Sequence, residues 1–360
     1  EDIAVLAVPI HDQRIQPVSV TTNNDDKLDL AVLSDSSFSA STNSTSHPDA
    51  PLEITFDFGE SKTVSSLSFA MPPPGMFIPA AFLPTLQASV DGKNFEDVTT
   101  IPVGSTTQTT ISFPAVNAQY MRIVMTANPN GKFALPSSAA PGAAPPPGFQ
   151  LPTGEKKLEP VNLLEVAFYP QAKVHRFEDK AGFGIVEDYY PLSYQHDEHG
   201  IAKDAVIDIT DKLNADGSLN WHPAKGQWKI IRLGYSLTGK ENHPATVAAT
   251  GLEVDKYDAD AVNAYIDHYL NMYKDASGEY ALGEGVKALL NDSIEVGASN
   301  WTPKMFEEFK QRRGYDLTPW LPALVGVIIG DAVQTDKFLF DYRLTLGEML
   351  ADNHYAVISK

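Results

Sequence analysis

Two carboxylates at the end of an apolar run are the strongest chemical signal in the sequence. Asp292 and Glu295 follow residues 286–290 (VKALL) and precede a loop that contains Trp301. Two such groups can divide the work of glycoside hydrolysis: one, kept protonated, donates to the leaving oxygen, while another carboxylate activates water or attacks directly. The alternative is structural, with Asp292 in an Asx-turn and Glu295 solvated, as most loop acids are.

A second candidate site is the polar connection formed by residues 237–256. We predict that Asn242, His243 and Asp255 contact a substrate there, because a dense set of hydrogen-bonding groups suits the recognition of hydroxyls. The alternative is an exposed polar loop in which the following proline holds His243. Trp301, beside the carboxylates, is compatible with stacking on a sugar ring and equally with core packing.

The sequence contains no motif for several other kinds of catalytic or binding site. The chain has no cysteine, which removes thiolate metal sites, cysteine nucleophiles and disulfides. Neither a His-x-x-x-His nor a Gly-x-x-x-x-Gly-Lys pattern occurs, so neither zinc nor a nucleotide is indicated. Oxygen-rich loops can hold calcium, but the spacing of an EF-hand is absent. The metal ligands, if any, are therefore unknown at this stage.

The elements that position these residues are predicted to form a parallel α/β domain. Residues 226–237 carry a near-continuous apolar run, as in a strand covered on both faces, and residues 286–292 read as a short buried strand. Helices alternate with these strands. Because active sites of parallel α/β domains form at the carboxyl ends of the strands, Asp292 and Glu295 would face a shared mouth.

Capping signals delimit the predicted helices. Asp258 is placed as the N-cap of one helix, Thr302-Pro303 begins a second and Gly314 ends it, and residues 331–359 form a third. Two apolar stripes at helical spacing are predicted to be core: Val262, Tyr265, Ile266, Tyr269 and Met272 or Tyr273 in the first helix, and Leu339, Tyr342, Leu346, Met349 and Leu350 in the last.

The preceding residues are predicted to be all-β. Strand-like segments alternate apolar with polar residues, Asp91-Gly92 indicates a hairpin with a primed turn, and residues 127–155 read as a long exposed loop rich in Pro, Ala and Gly. Several short strands at this spacing favour a β-sandwich. The predicted segments are 52–59, 63–71, 85–98, 109–116, 118–126 and 161–170.

Composition and charge restrict the partners. The net charge of −19 argues against nucleic acid, and no stretch approaches the roughly 20 apolar residues of a membrane span. The predicted domains are a barrel strand segment (1–20), an inserted β-sandwich (21–170) and part of a (β/α)8-type barrel (171–360). We expect the remainder of the same polypeptide at both ends, because the α/β part is too short for a complete barrel and the chain begins without Met.

A family resemblance covers these same segments. Residues 291–326 (NDSIEVGASNWTPKMFEEFKQRRGYDLTPWLPALVG), 232–256 and 174–183 resemble glycoside hydrolase family 106, the α-L-rhamnosidases, in the same order. Residues 52–69, 88–98 and 118–125 are similar to the galactose-binding, discoidin-like modules that this family carries inserted in its barrel.

The resemblance implies inverting, calcium-assisted hydrolysis of terminal α-L-rhamnose from plant or algal polysaccharide. Glu295 of the Asp-Ser-x-Glu motif would be the general acid, and Asp292 would bind substrate or the metal. The family's general base comes from a later segment that these residues do not include. A bacterial periplasmic, secreted or cell-surface location is the matching expectation.

Two other functions remain open from the sequence. The chain could be a carbohydrate-binding protein whose β-sandwich binds sugar while the α/β part is a non-catalytic scaffold. It could also be a glycosidase with another sugar specificity, because fold does not fix substrate. A third chemical possibility is that Asp292 and Glu295 serve as acid and base themselves, since the carboxyl separation of inverting enzymes is within their reach.

Overall fold

The computed structural model describes two compact units. Its described residues are 1–9, 13–46, 50–74, 79–129, 160–186, 189, 192, 200–242, 245–278, 287–290, 294 and 296–360. Unit 1 comprises residues 1–10, 179–189 and 197–360, and unit 2 comprises residues 11–178 and 190–196. The domain boundaries expected from sequence, at 20/21 and 170/171, thus differ from those of the units by about ten residues.

The strands of the described residues concentrate in the first half of the chain. They are β1 (Asp2–Pro9), β2 (Ser19–Thr22), β3 (Thr42–Ser44), β4 (Leu52–Ala70), β5 (Phe82–Ser89), β6 (Glu96–Thr100), β7 (Gln108–Ala127), β8 (Val161–Leu163), β9 (Glu165–Tyr169), β10 (Ile207–Asp208) and β11 (Trp228–Gly234).

The helices of the described residues concentrate in the second half of the chain. They are α1 (Phe177–Lys180), α2 (Ala259–Ser277), α3 (Met305–Arg313), α4 (Ala332–Met349) and α5 (Ala356–Ile358), with a π-helical turn at Leu350–Tyr355 and 3₁₀ helices at Val32–Ser34, Lys203–Ala205, Thr210–Lys212, Val247–Ala249 and Thr318–Val325. None of the described helices combines the length and the apolar character that a membrane crossing requires.

Unit 2 is an antiparallel β domain, as its alternating pattern predicts. Its main sheet has the order β2-β4-β7-β5-β6, and β9 pairs with the second half of β4. β-Bulges interrupt the β4–β7 ladder between Asp57 and Lys62 and again between Val64 and Ser66. Such bulges bend and twist the paired strands. A continuous apolar core forms, with Phe56 and Phe58 each edge-on to Phe168.

The predicted hairpin at Asp91-Gly92 has a longer connection than a primed turn. β5 ends at Ser89 and β6 begins at Glu96, and Gly92 adopts a φ of 70°. The Asp91 carboxylate instead accepts hydrogen bonds from the backbone N–H groups of Lys93 and Asn94. The side chain therefore organises the loop, which the dipeptide alone did not indicate. The exposed loop predicted at 127–155 lies largely outside the described residues.

The sheet of unit 1 corrects the expectation of parallel strands. β1 lies between β10 and β11 and is antiparallel to both. In β11 Ile231 is buried while Ile230 is 42% exposed, so the strand is not covered on both faces as predicted. An apolar run indicates only that a strand can be buried on both faces. Whether both faces are buried depends on the segments of the protein that pack against them. A barrel therefore remains a prediction for this chain.

The strand predicted at 286–292 is not formed in its described part. Residues 287–290 are exposed and outside any strand, with Leu290 90% accessible. A strand requires a neighbour to complete its backbone hydrogen bonds, and the described residues offer these four none.

Helix α2 begins as predicted but buries less than predicted. The Asp258 carboxylate caps it by accepting from the N–H of Asp260. Val262 is buried, whereas Tyr265 and Tyr273 are 48% and 43% exposed, so the predicted core stripe is wrong beyond its first turn.

The C-terminal helices form the core of unit 1. Gly314 ends α3 in the left-handed conformation with a φ of 79°, as predicted. In α4 the predicted stripe is buried at Leu339, Tyr342, Leu346 and Met349. Phe338 stacks on Trp320 at a ring distance of 5.4 Å. The ring of Phe309 in α3 also lies 5.9 Å from that of Phe338, so α4 packs against both α3 and the 3₁₀ helix Thr318–Val325.

A close backbone contact closes the same unit. The Gly200 and Ile201 N–H groups donate to the carbonyls of Gly330 and Ile328. A Cβ at Gly200 would lie 2.0 Å from the Ile328 carbonyl oxygen, so only glycine fits there.

Candidate active site

A cavity of about 550 Å³ lies in unit 1 where two connecting segments converge. One connection follows β11 and leads to α2, and the other precedes α3. The lining residues are Glu1, Tyr235, Ser236, Leu237, Thr238, Glu253, Val254, Asp255, Lys256, Tyr257, Val296, Ser299, Trp301 and Pro303.

Two side-chain hydrogen bonds join the connections. The Tyr257 hydroxyl donates to the Ser299 carbonyl over 2.8 Å. The Thr302 hydroxyl donates to Asp255 Oδ2 over 2.7 Å. Burial raises the pKa of the Tyr257 hydroxyl, so Tyr257 is a neutral donor at physiological pH. The two loops therefore form one wall of the cavity.

Of the predicted substrate contacts, the structure brings Asp255 and Trp301 to this cavity. Asp255 is partly buried, and its Oδ1 accepts from the Tyr257 N–H over 2.9 Å. Trp301 packs edge-on against Phe306 with ring centroids 5.4 Å apart and still lines the cavity. Its two proposed roles, packing and sugar stacking, are therefore compatible with each other.

Asn242 has a different place. Its side-chain Oδ1 accepts from the Gly251 N–H over 2.7 Å, and its own N–H donates to the Gly251 carbonyl. Asn242 is absent from the lining of the cavity and holds the loop 242–251 closed. The remaining predicted site residues, His243, Asp292 and Glu295, lie outside the described residues.

Several residues of the site were not singled out from the sequence. Glu253 and Lys256 form an ion pair over 2.5 Å on the cavity wall. Asn353, in the π-helical turn, donates to the Tyr257 carbonyl over 2.8 Å. The sequence carried a signal only for the ion pair, because Glu253 and Lys256 are opposite charges three residues apart. Asn353 had no such signal, because its partner Tyr257 is distant in sequence.

The π-helical turn also places a histidine beside the ion pair. His354 is 7% exposed, and its Nδ1 has no hydrogen-bond partner among the described residues. Burial, and secondarily the Lys256 ammonium, lower the pKa of His354. The imidazole is therefore neutral at neutral pH and contributes no charge to the cavity wall.

The described part of the cavity does not form a calcium site. Glu253 is paired with Lys256. Among the described residues no group of three or more acidic or histidine side chains could hold a metal ion. The described residues therefore do not support calcium binding.

Comparison with known proteins decides the family. The family model described as alpha-L-rhamnosidase, glycoside hydrolase family 106, matches residues 101–360. The chain belongs to glycoside hydrolase family 106. A second model, the F5/8 type C domain, matches residues 17–137 and confirms the predicted discoidin-like module. The two matches overlap at residues 101–137, so the family match of this family member extends from the helical region into the β domain.

Two relatives of this family member extend well beyond it. The rhamnosidase from Novosphingobium sp. PP1Y is 37% identical with a TM-score of 0.82, and the match covers 99% of this chain and 31% of that one. A curated protein of Formosa agariphila named "Putative beta-glucuronidase" is 36% identical over 213 residues, covering 58% of this chain and 18% of that protein. The chain thus spans under a third of each relative's length.

Proposed function

We propose that this family member belongs to an enzyme that hydrolyses terminal α-L-rhamnose from plant or algal polysaccharide with inversion. The observation that carries the proposal is the cavity, which is lined mostly by residues of the family match and combines a carboxylate with a half-buried tryptophan. Sugar sites pair hydrogen-bond acceptors with an aromatic surface in this way. The remainder of the same polypeptide would complete the site.

The residues divide the work as follows in this proposal. Glu295 donates its proton to the leaving glycosidic oxygen as the general acid, and Asp292 binds the substrate or a metal. Asp255 accepts hydrogen bonds from sugar hydroxyls, and Trp301 presents its ring to the apolar face of the sugar. A base from a segment outside these 360 residues activates the water that attacks from the opposite side.

The test is Glu295→Gln in the complete protein, assayed on an aryl α-L-rhamnoside. We expect hydrolysis to fall at least about a thousandfold while L-rhamnose binding is retained, because glutamine cannot donate the proton. Glu307→Gln, on the exposed face of α3, is the matched control and should leave turnover unchanged. Undiminished turnover in Glu295→Gln would refute the acid assignment.

A second sugar specificity has one observation in its favour, the glucuronidase name of the Formosa relative. A glucuronate carboxylate in this cavity would meet Glu253 and Asp255, and the Lys256 ammonium is already paired. Like charges at short range oppose binding, so a neutral sugar fits better. Parallel assays on an aryl α-L-rhamnoside and an aryl β-D-glucuronide would decide between them.

Calcium assistance and an extracellular location also remain proposals. Calcium added to chelator-treated complete protein, followed by calorimetry, tests metal binding independently of turnover. Heat of binding with a defined stoichiometry would support a calcium site outside the described residues. The discoidin-like module fits a secreted, periplasmic or cell-surface enzyme, which fractionation of the source cells would test.

A further inference from the structure

Thr302 does not perform the function that its sequence position predicts. A Thr-Pro pair before a helix indicates an N-cap, yet α3 begins at Met305 with Lys304 as its N-cap, without a side-chain capping bond. The Thr302 hydroxyl donates instead to Asp255 Oδ2 over 2.7 Å. Thr302 is 1% exposed, so water does not compete for this hydroxyl.

The Asp255 carboxylate is consequently fixed at both oxygens. Oδ2 accepts a hydrogen bond from the Thr302 hydroxyl, and Oδ1 accepts one from the Tyr257 N–H over 2.9 Å. Tyr257 is itself anchored at both ends, by Asn353 at its carbonyl and by the Ser299 carbonyl at its hydroxyl. Each carboxylate oxygen can accept more than one hydrogen bond, so capacity remains on the side of the cavity.

We propose that Thr302 is a positioning residue that presents Asp255 as a paired acceptor for two neighbouring hydroxyls of one sugar ring. This inference rests on the proposed function, in that the cavity binds a neutral sugar. The two oxygens of a carboxylate suit two adjacent hydroxyls, and a carboxylate that cannot rotate loses less entropy on binding. Specificity for a sugar with an intact hydroxyl pair follows.

The experiment compares Thr302→Val, which removes the donor at nearly constant shape, with Thr302→Ser, which keeps the hydroxyl. Calorimetry on the complete protein measures the Kd of L-rhamnose and of its 2-, 3- and 4-monodeoxy analogues. Thr345→Val is the matched control: Thr345 is equally buried, and its hydroxyl donates to the Asp341 carbonyl within α4.

We expect Thr302→Val to bind L-rhamnose about tenfold more weakly and to lose its preference over the analogues that lack one hydroxyl of the pair. Thr302→Ser should restore both, and Thr345→Val should change neither. Asp255→Asn should abolish the same preference, and the double variant Asp255→Asn with Thr302→Val should show no further loss, because both changes act on one contact.

Equal binding by Thr302→Val and Thr302→Ser would overturn the positioning role. If the complete protein still hydrolyses the rhamnoside in that case, the proposed function stands without it. If wild-type protein neither binds L-rhamnose nor, when complete, turns over the rhamnoside, both proposals fail. If it binds L-rhamnose with no preference over any monodeoxy analogue, the hydroxyl pair is refuted.

Discussion

Trp301 lines the cavity, and its ring packs edge-on against Phe306. We expect Trp301→Ala to weaken L-rhamnose binding about three- to tenfold, because it removes the apolar surface that a sugar ring covers. Trp301→Phe should retain part of the affinity. Calorimetric titration measures both.

Trp320→Phe provides the control for this substitution. Trp320 stacks on Phe338 away from the cavity lining, so its replacement should lower the thermal midpoint without changing the Kd. Unaltered binding in Trp301→Ala would assign Trp301 to packing alone.

Glu178 in unit 2 makes stability depend on pH. Burial raises the pKa of its carboxyl to about 7 from an ordinary 4.5, against hydrogen bonds from Gln108 and Thr110 that favour the charged form. Between these values the folded state holds a proton that the unfolded state has released. Stability is therefore greatest below pH 4.5 for this group and falls as pH rises to 7, by up to about 3 kcal/mol.

The check is the free energy of unfolding of Glu178→Gln at pH 5 and pH 8. Glutamine is neutral at both values, so the variant should lose the part of the pH dependence that Glu178 causes. Glu96→Gln, an exposed change in the same unit, should leave the wild-type slope intact. An unchanged slope in Glu178→Gln would show that the carboxyl titrates at its ordinary pKa.

For single residues, the sequence predicted which residues lie at the site better than it predicted their hydrogen-bond partners. Density of polar groups pointed to Asp255, and the structure places it with Trp301 at one cavity. The diversion of the Thr302 hydroxyl was not predictable, because its acceptor lies 47 residues away along the chain. Asn242 is the opposite case. Its polar side chain suits a ligand contact, but its Oδ1 accepts a hydrogen bond from the Gly251 N–H instead.

At the scale of elements, the Gly200 contact sets a strict limit on side-chain size. Gly200→Ala should destabilise unit 1 by about 1–3 kcal/mol, because the added Cβ meets the rigid Ile328 carbonyl rather than a flexible side chain. Denaturant unfolding measures the change.

Gly347→Ala is the matched control in the same unit. It lies within α4 with no atom within 4 Å of the added Cβ, so the change should be neutral or stabilise the helix by up to about 1 kcal/mol. A neutral Gly200→Ala would mean that the Ile328 backbone moves aside at little cost.

Local elements were predictable and paired elements were not. The cap at Asp258 and the stop at Gly314 depend on a few consecutive residues and were correct. The orientation of β11 and the absence of a strand at 287–290 depend on which chain lies alongside. Periodicity contains no information about that neighbour.

At the scale of the whole molecule, unit 1 exposes several large apolar side chains. Leu237, Val247, Leu252 and Leu290 are 78%, 97%, 58% and 90% accessible. We expect the 360-residue protein to associate with itself as its concentration rises, since such surface favours burial. Light scattering after size exclusion measures this, and Val247→Ser with Leu290→Ser should reduce it.

The control for that pair is Val18→Ser with Leu83→Ser in unit 2, where both side chains are likewise exposed. Equal relief by both pairs would show that total exposure, rather than unit 1, drives association. A protein that stays monomeric at high concentration would contradict the prediction outright.

The two-module organisation was the most predictable property of the molecule. A change from period-two alternation to helical spacing along the chain is a strong signal, and the F5/8 type C match over residues 17–137 agrees with the β module. The barrel was harder to predict than the two modules, because barrel closure depends on more strands than the described residues show. The low share of each relative that is covered has the same implication.

The position of β1 has a consequence for how the chain reaches its fold. Leu6 pairs with Asp208 and with Ile231, partners that the ribosome adds some two hundred residues later. During synthesis β1 must remain unpaired while unit 2 acquires its own core. A compact insertion shortens the loop that β1 has to close, which lowers the entropic cost of pairing. We expect early folding of unit 2 to favour pairing in the sheet of unit 1.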